Sequence, residues 1–524
     1  MNCKRNIGLL LFLAALSLPI VPAQTRVSFP HPETWTASEL APYVGQTITF
    51  EQPVYVCNNY YSNLTVSLHR LMSPTNQELP ASTAYHNLLT LNNKAMVQLT
   101  GLDDYHRMGE VFGELTVRVA STGSLTYVSH RSLTGTRADL QTVPSVDMRG
   151  THNLLVCALN CEYYLVENLG TGYGPDNASQ SAQQHEKIMD AIGRINADIY
   201  GFVEVEQGQA ALRKLAQGLT AATGRHFTWI DDGGSASGSY VKVGYVYCSD
   251  AVKPFGELRS DNSGVANRKK MQAFEHLSTG ERFIFSINHF KAKSGTATGA
   301  DADQGDGQGI YNHARTIEAQ SVVSQSAVAV NFYHDPDILV MGDLNAYAME
   351  DPITTLTRAG MTDLHRFFHA DSSYSYTFHG EAGYLDHALC NDALLPQVTG
   401  MAAYHINSDE HDRYTYDKSS DRTMFRCSDH DPILVGLCLG ANIIDQRIAD
   451  ASAAEVTISV EGSAPVIHYA DGGFCSIYTL SGVFVSQGAI YGAQYTFPVT
   501  LAPGFYIFNI YVESTVVRKK VLIL

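Results

Sequence analysis

The chain has 524 residues, of which 45% are hydrophobic and 17% charged. That is apolar material for more than one compact core, and the length predicts roughly two to four domains. The formal charge of −17 argues against a protein that simply coats nucleic acid, since polyanions prefer basic partners. Acidic residues that hold divalent cations, however, add to the same count.

The opening stretch "MNCKRNIGLLLFLAALSLPIVPAQT" has a basic start (Lys4, Arg5), an apolar run from Ile7 to Leu18 and small residues near Ala23. This layout predicts a secretory signal peptide over residues 1–23, too short to span a membrane. No later segment stays apolar for about 18 residues, so the mature chain is expected to be exported, without a transmembrane segment, and monomeric. Cys3 precedes the apolar run and is no lipid anchor. The remaining cysteines are Cys57, Cys157, Cys161, Cys248, Cys390, Cys427, Cys438 and Cys475. An even set in an exported chain permits disulfides, and the lack of a CxxC pair argues against zinc.

Residues 24–147 carry short β-type runs such as "TITFEQPVYVC" and "ELTVRVAS", split by Asn, Pro and Gly turns, and predict a small β barrel or sandwich. Residues 148–440 change character. "NLLVCALN", "ADIYGFVE", "VKVGYVYC", "RFIFSINHF" and "DILVMGDLN" read as apolar strands, with helical patterns such as "HEKIMDAIGRINA" between several of them. Strand-like runs return over residues 441–524, including "GFYIFNIYVES" and "VVRKKVLIL".

The middle strands share an oddity. "LLVCALNCE" ends in Asn160 and Glu162, and "DIYGFVEVE" in Glu204 and Glu206, each pair two residues apart and so on one face of a strand. "RFIFSINHFK" ends in Asn288, His289 and Lys291, and "DILVMGDLN" in Asp343 and Asn345. "GYLDHAL" contains Asp386, and "CSDHDPILVGL" opens with Ser428, Asp429 and His430. A single Glu after a strand is more often a solvated end than a ligand, and "GDLN" alone is more often a turn than a site. Repeated along one region, these tips ask for a shared explanation: packed sheets gather them at one edge. Oxygen ligands there suit Mg²⁺, Mn²⁺ or Ca²⁺ rather than zinc. A divalent cation beside His and Asp is equipment for hydrolysing a phosphate ester, the cation neutralising developing charge and a base positioning water.

In their order, "ALNCE", "ADIYGFVEVE", "NRKKMQAF", "INHFKAKSG", "DADQGDGQGIYNHAR", "VMGDLNAYAMEDPI", "GYLDHAL" and "SDHDPI" resemble the endonuclease/exonuclease/phosphatase superfamily, the DNase I-like fold. Within it they resemble the large secreted bacterial nucleases. The resemblance implies a four-layer α/β sandwich with the site at the top of two packed sheets. It implies that Asn160 and Glu204 serve a metal site, with Glu162 a further carboxylate; strand parity alone does not separate Glu204 from Glu206. Asp343 and Asn345 match the family's Gly-Asp-x-Asn pair, which positions the attacking water and the phosphate. His430 matches the principal histidine, with Asp386 orienting it and Asp429 beside it near the metal; a carboxylate fixes the tautomer and strengthens the base. Either Asp343 or His430 takes the proton from water. His289 matches the second histidine, a candidate acid or phosphate ligand, and Arg268 a phosphate-contacting arginine.

Two features depart from the pattern. "DDGGSASGSYVKVGY" lacks an obvious carboxylate to partner His289. The loop "DADQGDGQG" has a calcium-loop composition, but its Gly and Asp are misplaced for an EF-hand. A similar loop in the secreted nucleases precedes an Asn-x-x-Arg, here Asn312 and Arg315, so it reads as a substrate-side loop, with structural calcium the alternative.

The amino-terminal β region resembles the OB-type modules that accompany such nucleases, with tyrosines in "VYVCNNYY" for holding single strands or, equally, a spacer role. The last residues, through "SIYTLSGVFVSQG", "LAPGFYIFNI" and "VVRKKVLIL", resemble the carboxy-terminal sorting domain of the type IX secretion system. That implies this machinery as a partner, export across the outer membrane, and release or surface attachment; an ordinary β-sandwich accessory is the alternative. The expected function is a secreted endonuclease using Mg²⁺ or Mn²⁺, with Ca²⁺ a further candidate, acting on DNA and secondarily on RNA. A phosphatase or sphingomyelinase of the same fold is the second reading, and an inactive nucleic-acid-binding surface protein the third. Arg268, Lys269, Lys270, Lys291, Lys293 and Arg315 are expected to line the groove, giving strong salt sensitivity.

Overall fold

The computed structural model of the protein describes residues 25–32, 36–60, 63–69, 89–92, 106–146, 152–233, 239–262, 267–369, 373–378, 380–440, 457–461, 464–468, 473–479, 484–490, 494–497, 499–512 and 515–523. The expected signal segment, both expected domain junctions and Tyr61 lie outside the described residues.

The middle region begins with β1 (Leu154–Tyr164), α1 (Ala178–Ile195), β2 (Ile199–Glu206), α2 (Ala210–Thr223), β3 (Phe227–Trp229), β4 (Val241–Cys248) and β5 (Val252–Asp261). It continues with β6 (Lys269–His276), β7 (Arg282–His289), α3 (Asn312–Tyr333), β8 (Ile338–Asp343), α4 (Asp351–Arg358), β9 (Met361–Asp363) and α5 (Leu364–His369). The hairpin β10 (Tyr376–Phe378) and β11 (Glu381–Gly383) precedes β12 (Asp386–Asn391), β13 (Val398–Ala403) and β14 (Ile433–Leu437). They build two six-stranded sheets, ordered β3-β4-β2-β1-β14-β13 and β5-β6-β7-β8-β12-β9.

The period-2 alternation of β1 shows how the layers arise. Val156 and Ala158 point between the sheets, where they share a core with Val203, Phe285, Ile287 and Met341. Cys157 and Leu159 point outward into a second core with Ile188, Ile192, Phe202 and Leu215 of α1, β2 and α2. On the far side α3 and α4 bring Ala319, Val322 and Ile353 onto Ala273, Ile284 and Val340. Sheets covered on both faces need strands that are apolar on both faces, which explains the unbroken apolar runs. Helix α1 opens with Asn177, whose side chain accepts from the Ser179 and Gln180 amides at 3.0 and 3.1 Å, and ends at Asn196 with φ 50°.

The described strands between Thr25 and Thr134 form one mixed nine-stranded sheet around Ile48, Phe50, Val117 and Leu125. Ion pairs from segments flanking its strands reach the middle module: buried Arg107 meets Asp409 at 3.0 Å and Glu410 at 2.9 Å, and half-buried Arg137 meets Glu410 at 2.9 Å. At the other end, three- and four-stranded antiparallel sheets share a core around Ile477, Phe508 and Ile510. There Phe474 and Tyr511 pack on Phe367 of α5, with ring centroids 5.8 and 4.5 Å away. Cys157, Cys161, Cys248, Cys427 and Cys475 are buried thiols joined in no disulfide. Among the described residues no helix is long and apolar enough to cross a membrane.

Strand β8 passes unusually close to β7. Gly342 pairs with Asn288 at φ 124°, and a Cβ there would sit 2.0 Å from the Asn288 carbonyl oxygen. Gly342→Ala is therefore expected to destabilise the middle module by about 2–3 kcal/mol, read as a lower urea midpoint, because rigid backbone is what must yield. An unchanged midpoint would show that the strands can part without cost.

Candidate active site

The site is made where the strands stop being regular. β1 and β2 run parallel through Asn160↔Val203, then slip so that Tyr164 faces Val205, and β2 slips against β4 between Phe202 and Val205. The extra residues take left-handed backbone: Glu162 at φ 50°, Tyr163 at 53° and Glu204 at 58°. Each such non-glycine residue costs about 1–2 kcal/mol, so the bends need local support. They have it: the Tyr163 amide donates to Glu204 Oε2 at 3.1 Å, and the Glu162 amide to Asn160 Oδ1 at 3.0 Å.

These bulges separate two glutamates that strand parity could not. Glu204 lines an open cleft together with Asn160, Glu162, Asp429 and His430. Glu206 is fully buried and accepts from the amides of Val166, Glu167 and Asn168 at 2.6, 2.9 and 2.8 Å. It anchors the loop that follows β1 and does not face the cleft.

From the second sheet, Asp343 at the tip of β8 meets this group. Its Oδ2 accepts from the Asn160 amide group at 3.0 Å and that of Asn345 at 3.2 Å, and its Oδ1 from the Asn345 backbone N–H at 2.9 Å. His430 Nδ1 lies 2.7 Å from Asp386 Oδ2, which also accepts from Ser375 Oγ at 2.8 Å. Its Nε2 thus points toward Asp343 at 3.9 Å and Asp429 at 4.0 Å. The ring lies 4.7 Å from that of Tyr376. His289 Nε2 sits 3.5 Å from Glu204, 3.7 Å from Asp343 and 3.5 Å from Arg268. Its Nδ1 is buried without a hydrogen-bond partner.

Burial raises the carboxyls. Glu204 is pushed up to about 7 by burial and then by Asp429 and Asp343, and Glu162 to about 8 by burial and then by Asp429. Asp343 rises to about 6, burial outweighing the pull of His430. Burial lowers the affinity of His430 for its proton, but Asp386, Asp429 and Asp343 together outweigh it and hold the imidazole well above its ordinary value. His289 goes the other way, driven well down by burial and by Arg268.

Asp343, Asp386 and His430 bring ligand atoms within 4.8 Å of one another. His430 Nδ1 is already engaged by Asp386, so this trio suits proton handling better than a closed metal cage. The opposite wall fits a cation. Glu162 Oε2 is a buried carboxylate oxygen with no hydrogen-bond partner, beside Glu204 and Asp429. An oxygen-rich set of this kind suits a hard divalent cation.

Of the residues expected at the site, Asn160, Glu162, Glu204, His289, Asp343, Asn345, Asp386, Asp429 and His430 are brought together, with Arg268 at the His289 edge. The expected basic groove is not assembled. Arg315 is fully buried and donates to the carbonyls of Lys291, Ile310 and Gln308. Asn312 donates to Asp351 at 2.9 Å. Lys269 is buried against Asp261 and Glu318, Lys270 against Asp232, and Lys293 is paired with Glu350. Each lysine neutralises a buried acid, which sequence position alone does not reveal. Asp232, the nearest acid before Lys242, binds Lys242 and Lys270 rather than His289. Lys291 lies over the Tyr311 ring at 4.2 Å. In the calcium-like loop, Asp303 and Asp306 accept from the amides of Gly305 and Gln308.

Two sheets faced by helices, with an Asp–His pair and clustered carboxylates at their common edge, define a layered α/β hydrolase of phosphate esters. The endonuclease/exonuclease/phosphatase family model matches residues 150–430, more than half of the chain, and the protein belongs to that family. Its members hydrolyse phosphodiesters or phosphate monoesters and generally depend on a divalent metal. An endonuclease/exonuclease/phosphatase from Bacteroides vulgatus is similar at 17% identity over 55% of this chain and 98% of its own, with a TM-score of 0.37. A mannosyl-6-phosphatase from Bacteroides thetaiotaomicron is similar at 15% over 55% and 100%, TM-score 0.35. D. rerio TDP2, solved with a single-strand DNA product, is similar at 16% over 54% and 97%, TM-score 0.35. No curated protein matches the chain.

The raised carboxyls set a pH test. In the unfolded chain they would ionise near their ordinary values of 4.5 and 3.8, whereas folded Asp343, Glu204 and Glu162 hold protons up to about 6, 7 and 8. The fold without cation therefore loses this contribution to its stability as pH rises from the ordinary range through 8. A cation needs the ionised forms, so its binding strengthens over the same window. Mg²⁺ is expected to raise the melting temperature little at pH 5 and progressively more up to pH 8. A gain independent of pH would rule these carboxylates out as its ligands.

Proposed function

We propose that the protein is an exported, cation-dependent endonuclease that hydrolyses phosphodiester bonds in extracellular DNA. The observation that carries this reading is the Asp386–His430–Asp343 alignment facing a cleft walled by Glu162, Glu204 and Asp429. Glu204, Asn160, Asp429 and Glu162 are the residues that would hold the cation. When bound, it supplies neutralisation of the charge that develops on the phosphate.

The chain's own residues do the rest. Asp386 fixes His430 by Nδ1, and the retained proton makes Nε2 a charge-assisted donor to a phosphate oxygen. Asp343 Oδ2, oriented by the amides of Asn160 and Asn345, is the acceptor for the proton of the attacking water. Neutral His289 and the guanidinium of Arg268 face the same space and hold the phosphate in line. This division assigns the base to Asp343 and the electrophilic contact to His430.

In this reading residues 1–23 direct export and the carboxy-terminal sheets act as a type IX sorting domain, with Mg²⁺ or Mn²⁺ the working cation. The amino-terminal sheet is the OB-type module that accompanies such nucleases.

Purified protein offered plasmid DNA with Mg²⁺ is expected to nick it and to stop with EDTA. His430→Ala and Asp343→Asn should each lower the rate by roughly 10²–10⁴-fold. Intact plasmid beside a hydrolysed phosphomonoester would move the protein to the phosphatase branch.

The pairing of the lysines makes a second expectation. With Arg268 and Lys291 as the cations left to meet phosphate, the slope of log affinity against log salt should be about −2, against about −5 for six contacts. Binding of duplex DNA to Asp343→Asn at graded salt measures it, and a slope near the larger value would restore the basic groove.

A further inference from the structure

Beside the carboxylate wall stands a set of aromatic rings that the hydrolytic machinery does not use. Tyr163, whose amide holds Glu204, stacks on Tyr173 with centroids 5.1 Å apart and planes 20° apart. Tyr173 in turn meets Tyr240 at 6.2 Å and 41°. Tyr173 is 53% exposed and Tyr240 45%, among the most exposed large apolar side chains of the described residues.

The fold builds support under these exposed rings. Tyr173 lies between Gly172 at φ 83° and Gly174 at φ 64°, where a Cβ on residue 174 would meet the Tyr163 carbonyl oxygen at 2.4 Å. The loop is pinned at its root by buried Glu206, and across its neck by Gly170 N–H to the Pro175 carbonyl at 3.1 Å. Tyr240 is fixed through its carbonyl, which accepts from the Gln207 amide at 2.9 Å. Tyr163, Tyr173, Gly172 and Gly174 line the same cleft as Glu204 and His430.

We infer that Tyr163, Tyr173 and Tyr240 form a stacking platform for an unpaired nucleobase of the substrate strand next to the scissile phosphate. The inference rests on the nuclease reading and deepens it: the preferred substrate is single-stranded or locally opened DNA. A flat π face held at the edge of a phosphodiester site matches the one surface every base presents, whatever its sequence. Stacking also suits a site with few free cations, since it holds a strand without more phosphate contacts. A base inside a duplex has both faces covered by its neighbours and cannot use such a platform.

The test compares wild type, Tyr173→Ala and Tyr173→Phe, each with Mg²⁺, on a single-stranded oligonucleotide containing one cleavable phosphodiester in an otherwise phosphorothioate strand. A matched strand is abasic at the sugars flanking that bond. Tyr173→Ala is expected to raise KM on the intact strand by roughly 5- to 150-fold with little change in kcat, while Tyr173→Phe retains the wild-type KM. On the abasic strand the penalty of Tyr173→Ala should fall below about twofold, because the lost partner is the base. In Asp343→Asn, 2-aminopurine beside the bond should be quenched on binding, and less so once Tyr173→Ala is added. Equal KM for wild type and Tyr173→Ala, or equal penalties on both strands, overturns the platform while leaving the nuclease intact. A wild type that cuts neither strand but hydrolyses a phosphomonoester overturns both readings together.

Discussion

The middle module is organised around one awkward fact: several carboxylates, buried or half-buried, crowd one another at one end of two packed sheets. Glu162, Glu204 and Asp343 all hold their protons more tightly than solvated acids do, and burial is the first cause each time. A chain selected for stability alone would place apolar groups there, because buried charge is costly without compensation. The local devices follow from this load. Bulges in β1 and β2 turn Glu162 and Glu204 into the cleft, Asn160 and Asn345 donate to Asp343, and His430 brings a proton into the middle of the acids. The rigid frame is needed because like charges would otherwise drift apart, and the paired β7 and β8 supply it where Asn288 meets Gly342.

The same logic explains the disposition of the bases. Lys242 and Lys270 share Asp232, Lys269 lies by Asp261 and Glu318, and Lys293 holds Glu350. Arg107 and Arg137 neutralise Asp409 and Glu410. These cations serve interior acids, so the net charge of −17 is no measure of the potential inside the cleft. There the balance depends on Arg268, Lys291, Arg426, His430 and any bound cation.

Much of this was legible in the sequence. Apolar runs covered on both faces and the helix at "HEKIMDAIGRI" follow from period and capping, and the polar strand tips converge as their repetition implied. What failed did so for physical reasons. Parity treats Glu204 and Glu206 alike, but a left-handed residue inside the strand breaks parity and sends one to the cleft and the other to a loop. Basic residues near catalytic motifs looked like groove, because sequence does not show the buried acids that claim Lys269, Lys270 and Lys293. Arg315 fits its motif yet serves three carbonyls. The tyrosine cluster is hidden in the sequence because its members come from three separate segments. "GTGYGP" was its one local signal, an aromatic between glycines that bend the chain around it.

The amino-terminal sheet is more closely tied to the site than a tethered accessory would be. Asp409, paired with Arg107, also accepts from the Tyr374 hydroxyl at 2.5 Å, and the Tyr374 ring stacks on His405 at 3.7 Å. His405 Nδ1 lies 3.0 Å from Asp431, whose carboxylate also collects the amides of Ile406, Asn407 and Ser408. Asp431 is the residue after His430, and Asn407 donates to the His430 carbonyl at 2.7 Å. Asp409 and Glu410, at the base of the loop that holds His430 in place, are buried against Arg107 and Arg137 and lose their counter-charges if those arginines are replaced. Breaking one side of a buried ion pair leaves the full desolvation penalty on the other. The choice between a strand-binding module and a spacer therefore omits a structural role: the amino-terminal region supplies Arg107 and Arg137, the counter-charges of the loop beneath His430.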